Sequence, residues 1–237
     1  MVNSSLYNLL YKGQSGGSKI KKSFSNFSTL LNDKKQFLIM ILANLITQLG
    51  ITYYVMTNTK ITEEDNKSLK LFALIIITFI IICILVVVPI PSWLKFILFS
   101  AFSYFWGILL AFFKLKVHDD NLINMAMLGT ISVFAIMFLI GGFLLATGIE
   151  LGLKTGFFLF SSVTILIIAQ IFNFFQKSAL LTKTISAIGI IIFSCYIIYD
   201  TNTVLQRNYY GDFITASLDY YLDIINIFIK LVILNDN

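Results

Sequence analysis

Charge is what this sequence has least of. Lysine, arginine, aspartate and glutamate make up 12% of its 237 residues, where an ordinary soluble domain carries about 25%. Hydrophobic residues make up 58%, and mean hydropathy is +0.87. Seventeen bases and twelve acids are too few to cover a water-facing surface of this size. The composition excludes a soluble enzyme and a disordered chain. It also excludes a nucleic-acid binder, despite a sequence pI of about 9.1. The solvent for most of this chain is lipid.

Reactive side chains are scarce as well. Histidine occurs once, cysteine twice and proline twice. Cys83 and Cys195 fall inside apolar runs and read as small buried residues with no disulfide framework. His118 stands beside Asp119 and Asp120, a trio that reads as a solvated turn between helices sooner than as a weak cation site. One histidine and two distant cysteines make no zinc site. The lone histidine has no nucleophile beside it, so a non-enzyme with no cofactor is expected. No glycine-rich phosphate loop is present. Gly141-Gly142 lies inside an apolar run, where small residues let helices approach closely.

What is abundant is long uncharged sequence. Runs extend over 36–59, 71–94, 96–113, 121–149, 155–176 and 184–199, and a seventh, 214–234, is interrupted by acids. About 20 apolar residues at ~1.5 Å per residue span a bilayer's hydrocarbon core. The seventh run qualifies only if its acids face protein. The runs are continuous rather than alternating, which excludes a β-barrel. The expectation is an all-α polytopic membrane protein, a bundle of seven transmembrane helices over residues 36–237. Pro89 and Pro91 read as a turn between the second and third helices.

Residues 1–35 are polar, with a Ser15-Gly16-Gly17-Ser18 stretch and six lysines at 12, 19, 21, 22, 34 and 35. They read as a flexible tail, placed in the cytosol by the positive-inside rule, with the first apolar run as an uncleaved signal-anchor. The lysines of the later loops do not follow that rule consistently. No internal repeat is evident, which weighs against a transporter built from duplicated halves.

Nine of the twelve acids lie in tails and loops. Only Asp200, Asp219 and Asp223 fall within helical reach of the membrane. An acid there is costly and marks function by default. With the sixth helix ending near Gln206 and the seventh starting near Phe213, the two are antiparallel neighbours. Asp200 then lies ~9 Å and Asp223 ~15 Å from their shared end, so the carboxyls fall in one layer. Asp219, Asp223 and Asn226 share a helix face. Two carboxyls together in low dielectric cannot both ionise easily. Such a pair shares a proton under acid conditions and repels when both groups are charged. That is a pH-dependent latch, and its repelling state is a transient oxygen-ligand site for Ca²⁺ at Asp200 and Asp223.

The segment Ile198-Tyr199-Asp200-Thr201, followed by Tyr221-Leu222-Asp223-Ile224-Ile225-Asn226-Ile227-Phe228, resembles the paired C-terminal signature of the transmembrane Bax-inhibitor-motif family, the lifeguard proteins. Ala216-Ser217-Leu218 is similar to that signature's lead-in, and Thr155–Phe160 is similar to the family's glycine-aromatic helix opening. The resemblance implies a seven-helix Bax-inhibitor-like bundle, with one helix wrapped by the others. It implies a pH-sensitive calcium leak in which Asp200 and Asp223 sense pH and gate, supported by Tyr199, Asp219 and Asn226. It also implies suppression of apoptosis. The implied partners are the lipid bilayer, permeant Ca²⁺ and other membrane proteins of cell-death control. The implied location is the endoplasmic reticulum or Golgi for a eukaryotic or viral chain, and the plasma membrane for a bacterial one.

Three positions depart from the family pattern. Residues 71–94 contain no base where bacterial relatives place an arginine, Trp106 stands where many relatives carry a glutamate, and Asp219 stands in an asparagine's place. These departures support an alternative, a non-conducting regulator that works by contacting other membrane proteins. An intramembrane aspartyl protease also pairs acids on its sixth and seventh helices. Such enzymes need Gly-x-Gly before the second acid, and here Tyr220-Tyr221-Leu222 precede Asp223.

Overall fold

The structure is a computed structural model that describes residues 22–61, 68–115, 117, 120–207 and 211–236. Helix is its building material, and the described residues contain no strand. In lipid every backbone N–H and C=O must be satisfied within the chain, and a helix does this locally. Residues 22–33 form α1. There follow α2 (Lys35–Asn58), α3 (Ser68–Val87), α4 (Ser92–Lys114), α5 (Asp120–Ala146), α6 (Leu153–Gln176), α7 (Ala179–Arg207) and α8 (Phe213–Asn235).

Helix begins upstream of the expected tail boundary at residue 35. Its first segment docks on the C-terminal end of α5, where the Phe24 and Phe143 rings lie 5.7 Å apart and Asn26 Nδ2 donates to the Ala146 carbonyl at 3.4 Å. Residues 1–21, with three of the six lysines of the expected tail, lie outside the described residues.

Six helices, α2 to α7, are long and apolar enough to cross a membrane. The chain is a multi-pass membrane protein. The expected seventh run is α8, which carries Asp219, Asp223 and Lys230 and falls outside that set. It is also the helix with most of its length buried, from Ile214 through Val232, and it packs on α7, α2, α5 and α4. Its polar side chains are thus taken up by protein. Around it, α6 turns Phe157, Phe158, Phe174 and Phe175 outward. In water such a surface would aggregate; in lipid it is the solvated face.

The ends of the helices follow local chemistry. Asp212 caps α8, its carboxylate accepting from the Thr215 N–H at 3.0 Å. Gly148, at φ +89°, closes α5 in the left-handed region, and Pro91 opens α4. The turn expected at Pro89 and Pro91 separates α3 from α4. Gly141 does what its size suggests. A Cβ there would lie 2.6 Å from the Ile198 carbonyl oxygen and 2.8 Å from Thr201 Cβ, so α5 and α7 meet at this glycine. Buried Asn202 then ties the α5–α6 connection to α7, donating to the Gly141 and Ile149 carbonyls at 3.2 and 3.0 Å and accepting from the Leu151 N–H at 2.8 Å.

Candidate functional site

Asp200 sits on α7 between Tyr199 and the fully buried Thr201. Asp223 sits near the middle of α8. They are 6% and 4% exposed, and their carboxyls are within side-chain hydrogen-bonding reach of each other. The antiparallel packing that a short α7–α8 connection favours brings them to one level. Contact between two carboxyls is attractive when a proton lies between them and repulsive when both are charged. No donor among the described residues reaches Asp223 Oδ2, although that oxygen is buried.

The pair forms part of the wall of a cavity of about 540 Å³ between α6, α7 and α8. Asp219 and Asn226 line the same space from α8, and Tyr196 and Tyr199 line it from α7. All five residues singled out in the sequence therefore come together here. Asn226 turns its amide back, donating to the Leu222 carbonyl at 2.8 Å. Tyr199 lies across Gly156 of α6, where a Cβ would come within 2.6 Å of its hydroxyl. That explains the glycine in the Thr155–Phe160 segment. Just behind the pair, the buried Tyr220 hydroxyl donates to Thr201 Oγ1 at 2.9 Å.

For a metal, the chamber offers carboxylate and amide oxygens but no tight cage. The described residues hold no group of three or more His, Cys, Asp or Glu side chains close enough to grip an ion. Calcium takes six to eight oxygen ligands, more than these side chains supply. His118, Asp119 and the Asp120 side chain lie outside the described residues.

Sequence reasoning missed a second polar layer, between α2, α4 and α8. Gln48 is fully buried and receives the Ser103 hydroxyl at 3.0 Å while donating to Asn44 Oδ1 at 3.2 Å. Asn44 donates in turn to Ser217 Oγ of α8 at 2.5 Å, and Thr52 pairs with the Tyr221 hydroxyl at 2.6 Å. The signal was the spacing of Asn44, Gln48 and Thr52, four residues apart on one face of an apolar helix. Lys230 is buried within α8, its ammonium 5.8 Å from the centre of the Phe193 ring of α7. Lys95 of α4 and Asp212 form an ion pair at the start of α8.

Trp106 stacks on Phe102, the rings 6.0 Å apart and 10° from parallel. It faces a separate groove with Leu222 and Asn226 of α8 and Thr78 of α3. Leu222 and Asn226 also line the cavity at Asp200, so the position that departs from the family pattern borders the same stretch of α8.

Comparison with known proteins gives one consistent result. The pattern of a protein family described as "Inhibitor of apoptosis-promoting Bax1" matches residues 29–236. A Golgi anti-apoptotic protein of Vaccinia virus (strain Lister) is 34% identical over 79 residues, 33% of each chain. Protein LIFEGUARD 1 of Arabidopsis thaliana is 36% identical over 78 residues, 32% of this chain and 33% of its own. Protein lifeguard 4 of Mus musculus is 26% identical over 121 residues, 46% of this chain and 51% of its own. The matched stretches thus span about a third of the viral and plant relatives and about half of the mouse relative.

Proposed function

The chain belongs to the family of inhibitors of apoptosis-promoting Bax1, and we propose that it suppresses cell death by letting Ca²⁺ leak down its gradient under proton control. The observation that carries this reading is the contact of Asp200 with Asp223 across two helices of a lipid-embedded bundle. The anti-apoptotic name of the Vaccinia relative supports the cellular role. In this reading α8 is the seventh span, wrapped by α2, α4, α5 and α7, and its acids face protein rather than lipid. The chain works without enzymatic chemistry and without a resident cofactor.

Under acid conditions one proton between the carboxyls latches α7 to α8. As pH rises the proton leaves, two negative charges face each other in low dielectric, and their repulsion drives the helices apart. The same charges, with Asp219 and the Asn226 side chain on the wall, attract a divalent cation into the widened space. The site is therefore open only when it is charged, which couples access to affinity. The membrane in this reading is the endoplasmic reticulum or Golgi for a eukaryotic or viral chain, and the plasma membrane for a bacterial one. The N-terminus is cytosolic.

The test is flux. Full-length protein reconstituted in dye-loaded liposomes should pass Ca²⁺ faster at about pH 8 than at about pH 6. Absence of flux across that range removes the channel. It would favour a non-conducting regulator that contacts other membrane proteins of cell-death control, a role to which the aromatic groove at Trp106 is suited. Protease chemistry is disfavoured because Tyr220-Tyr221-Leu222 stand where such an enzyme needs Gly-x-Gly before its second acid.

A further inference from the structure

Lys230 is a lysine where a lysine is expensive. It is 5% exposed, in the interior of a bundle surrounded by lipid, and buried cations are held by partners or mark function. A space has been made for it. Gly189 of α7 faces its stem, and a Cβ at that glycine would collide with Lys230 Cδ and Cε. Its ammonium rests on the face of Phe193, 5.8 Å from the ring centre, an attraction of cation to ring quadrupole.

Two further relationships connect this lysine to the acids. Phe193 is itself a wall of the cavity that Asp200, Asp219 and Asp223 line, so one ring has the cation against it and the acid chamber beside it. Asp223 and Lys230 are seven residues apart, two turns or ~10 Å along one helix face. A helical side chain leans toward the N-terminus of its helix, and for Lys230 that direction is toward Asp223. Its flexible four-carbon stem gives the ammonium room to move along that line.

The remaining charged and titratable groups stand elsewhere. On α7, Tyr196, Tyr199 and Asp200 lie toward the chamber and Lys183 lies beyond Gly189. On α5 and α6, Asp120 and Lys154 are at helix ends. The titratable groups of α2, Lys35, Tyr53 and Tyr54, are at its ends too, as are Lys95 and Lys114 of α4, while Tyr104 of α4 is exposed. Among the described residues of these helices, Lys230 is the base that stands nearest the acid pair in the interior of α8.

We propose that Lys230 is a tethered cation of the acid chamber: its ammonium, seated on Phe193, competes with a divalent cation for Asp200 and Asp223. This rests on the reading of the chamber as a cation site. In the latched state the ammonium stays on the ring. When the acids ionise it leans toward them, so an entering ion must displace it.

The experiment measures Ca²⁺ binding alone, by equilibrium dialysis of the full-length protein in phosphatidylcholine nanodiscs at about pH 8. Lys230→Met keeps the stem and removes the charge, and should tighten binding about tenfold, since a unit charge ~10 Å away in a protein interior acts at that scale. Lys230→Arg should bind as the wild type does. Phe193→Leu removes the seat and frees the ammonium for the acids, and should weaken binding. Structural damage would move Lys230→Met and Phe193→Leu the same way, so opposite signs are diagnostic. Should Lys230→Met fail to fold, Lys230→Gln is read identically. Wild-type affinity in the neutral variant, with binding abolished by Asp200→Asn/Asp223→Asn, overturns the tethered cation and leaves the cation site standing. Binding absent from the wild type, or unaffected by the double Asn variant, overturns the cation site and the proposal together.

Discussion

Tyr220 of α8 and Thr201 of α7 are joined by a 2.9 Å hydrogen bond between their hydroxyls, and each is a near neighbour of an acid. Thr201 follows Asp200 directly, and Tyr220 precedes Asp223 by three residues. Both groups are fully buried. The bond holds the two helices together one turn from the acid pair whatever the state of the proton. It marks a fixed edge about which any separation at the acids would pivot, toward the chamber on the α6 side.

Tyr220→Phe removes this edge with almost no change of volume. It leaves the Thr201 hydroxyl without its donor, at a cost of about 1 kcal/mol. Thermal unfolding in detergent should show the loss, and liposome flux at acid pH should rise because the latch then depends on the shared proton alone. Unchanged flux at acid pH would show that the hydroxyl pair has no part in closure.

Asp223→Asn tests the latch directly. An amide at this position can donate to Asp200 at every pH, so the contact persists when the wild-type pair would repel. Ca²⁺ flux at about pH 8 should fall to its level at about pH 6, flattening the pH profile while leaving stability near that of the wild type. A variant profile with the wild-type slope would place the proton sensor elsewhere.

Reading and structure agree where a residue's cost is visible in one dimension. An acid in an apolar run is costly wherever the run goes, so Asp200 and Asp223 stand out, and the short link between their helices suffices to pair them. Lys230 is equally costly, but its run ends at Leu234, so it passes for an end charge. Its burial depends on Gly189, 41 residues away in the chain. Asn44, Gln48 and Thr52 barely lower the hydropathy of their run, so their network is legible only as a four-residue spacing. The Lys95–Asp212 pair joins residues 117 apart, which composition cannot anticipate. The count of spans is blurred for the same reason that makes α8 informative, since a central helix needs no apolar face toward lipid.

Gln48→Leu tests the second polar layer. The substitution keeps the volume but strips partners from Asn44 and the Ser103 hydroxyl, both buried. A half-satisfied network is worse than an apolar one, and about 2 kcal/mol of destabilisation is expected. Adding Ser103→Ala should recover part of it, because the pair of changes removes both the donor and its acceptor. A double variant less stable than the sum of the two single ones would show that the layer is held by something other than this bond.

The ion pair at the start of α8 predicts an acid limit to stability outside the bilayer. Burial alone would raise the Asp212 carboxyl. The Lys95 ammonium beside it, with the Thr215 N–H and hydroxyl, outweighs burial and holds the carboxyl below the usual carboxylate range. A group whose folded value is depressed contributes stability above its unfolded value, about 3.9, and loses it as pH falls through the folded one. The α8 cap should therefore hold unchanged from neutral pH down to about pH 4 and weaken below it. Asp212→Ala should cost about 1–2 kcal/mol at neutral pH, through lost capping of the buried helix. Lys95→Met should move the onset of acid weakening upward in pH while retaining the cap. Hydrogen exchange at the Thr215 amide reads both effects, and an onset in Lys95→Met equal to that of the wild type would mean that Thr215 alone holds the carboxylate.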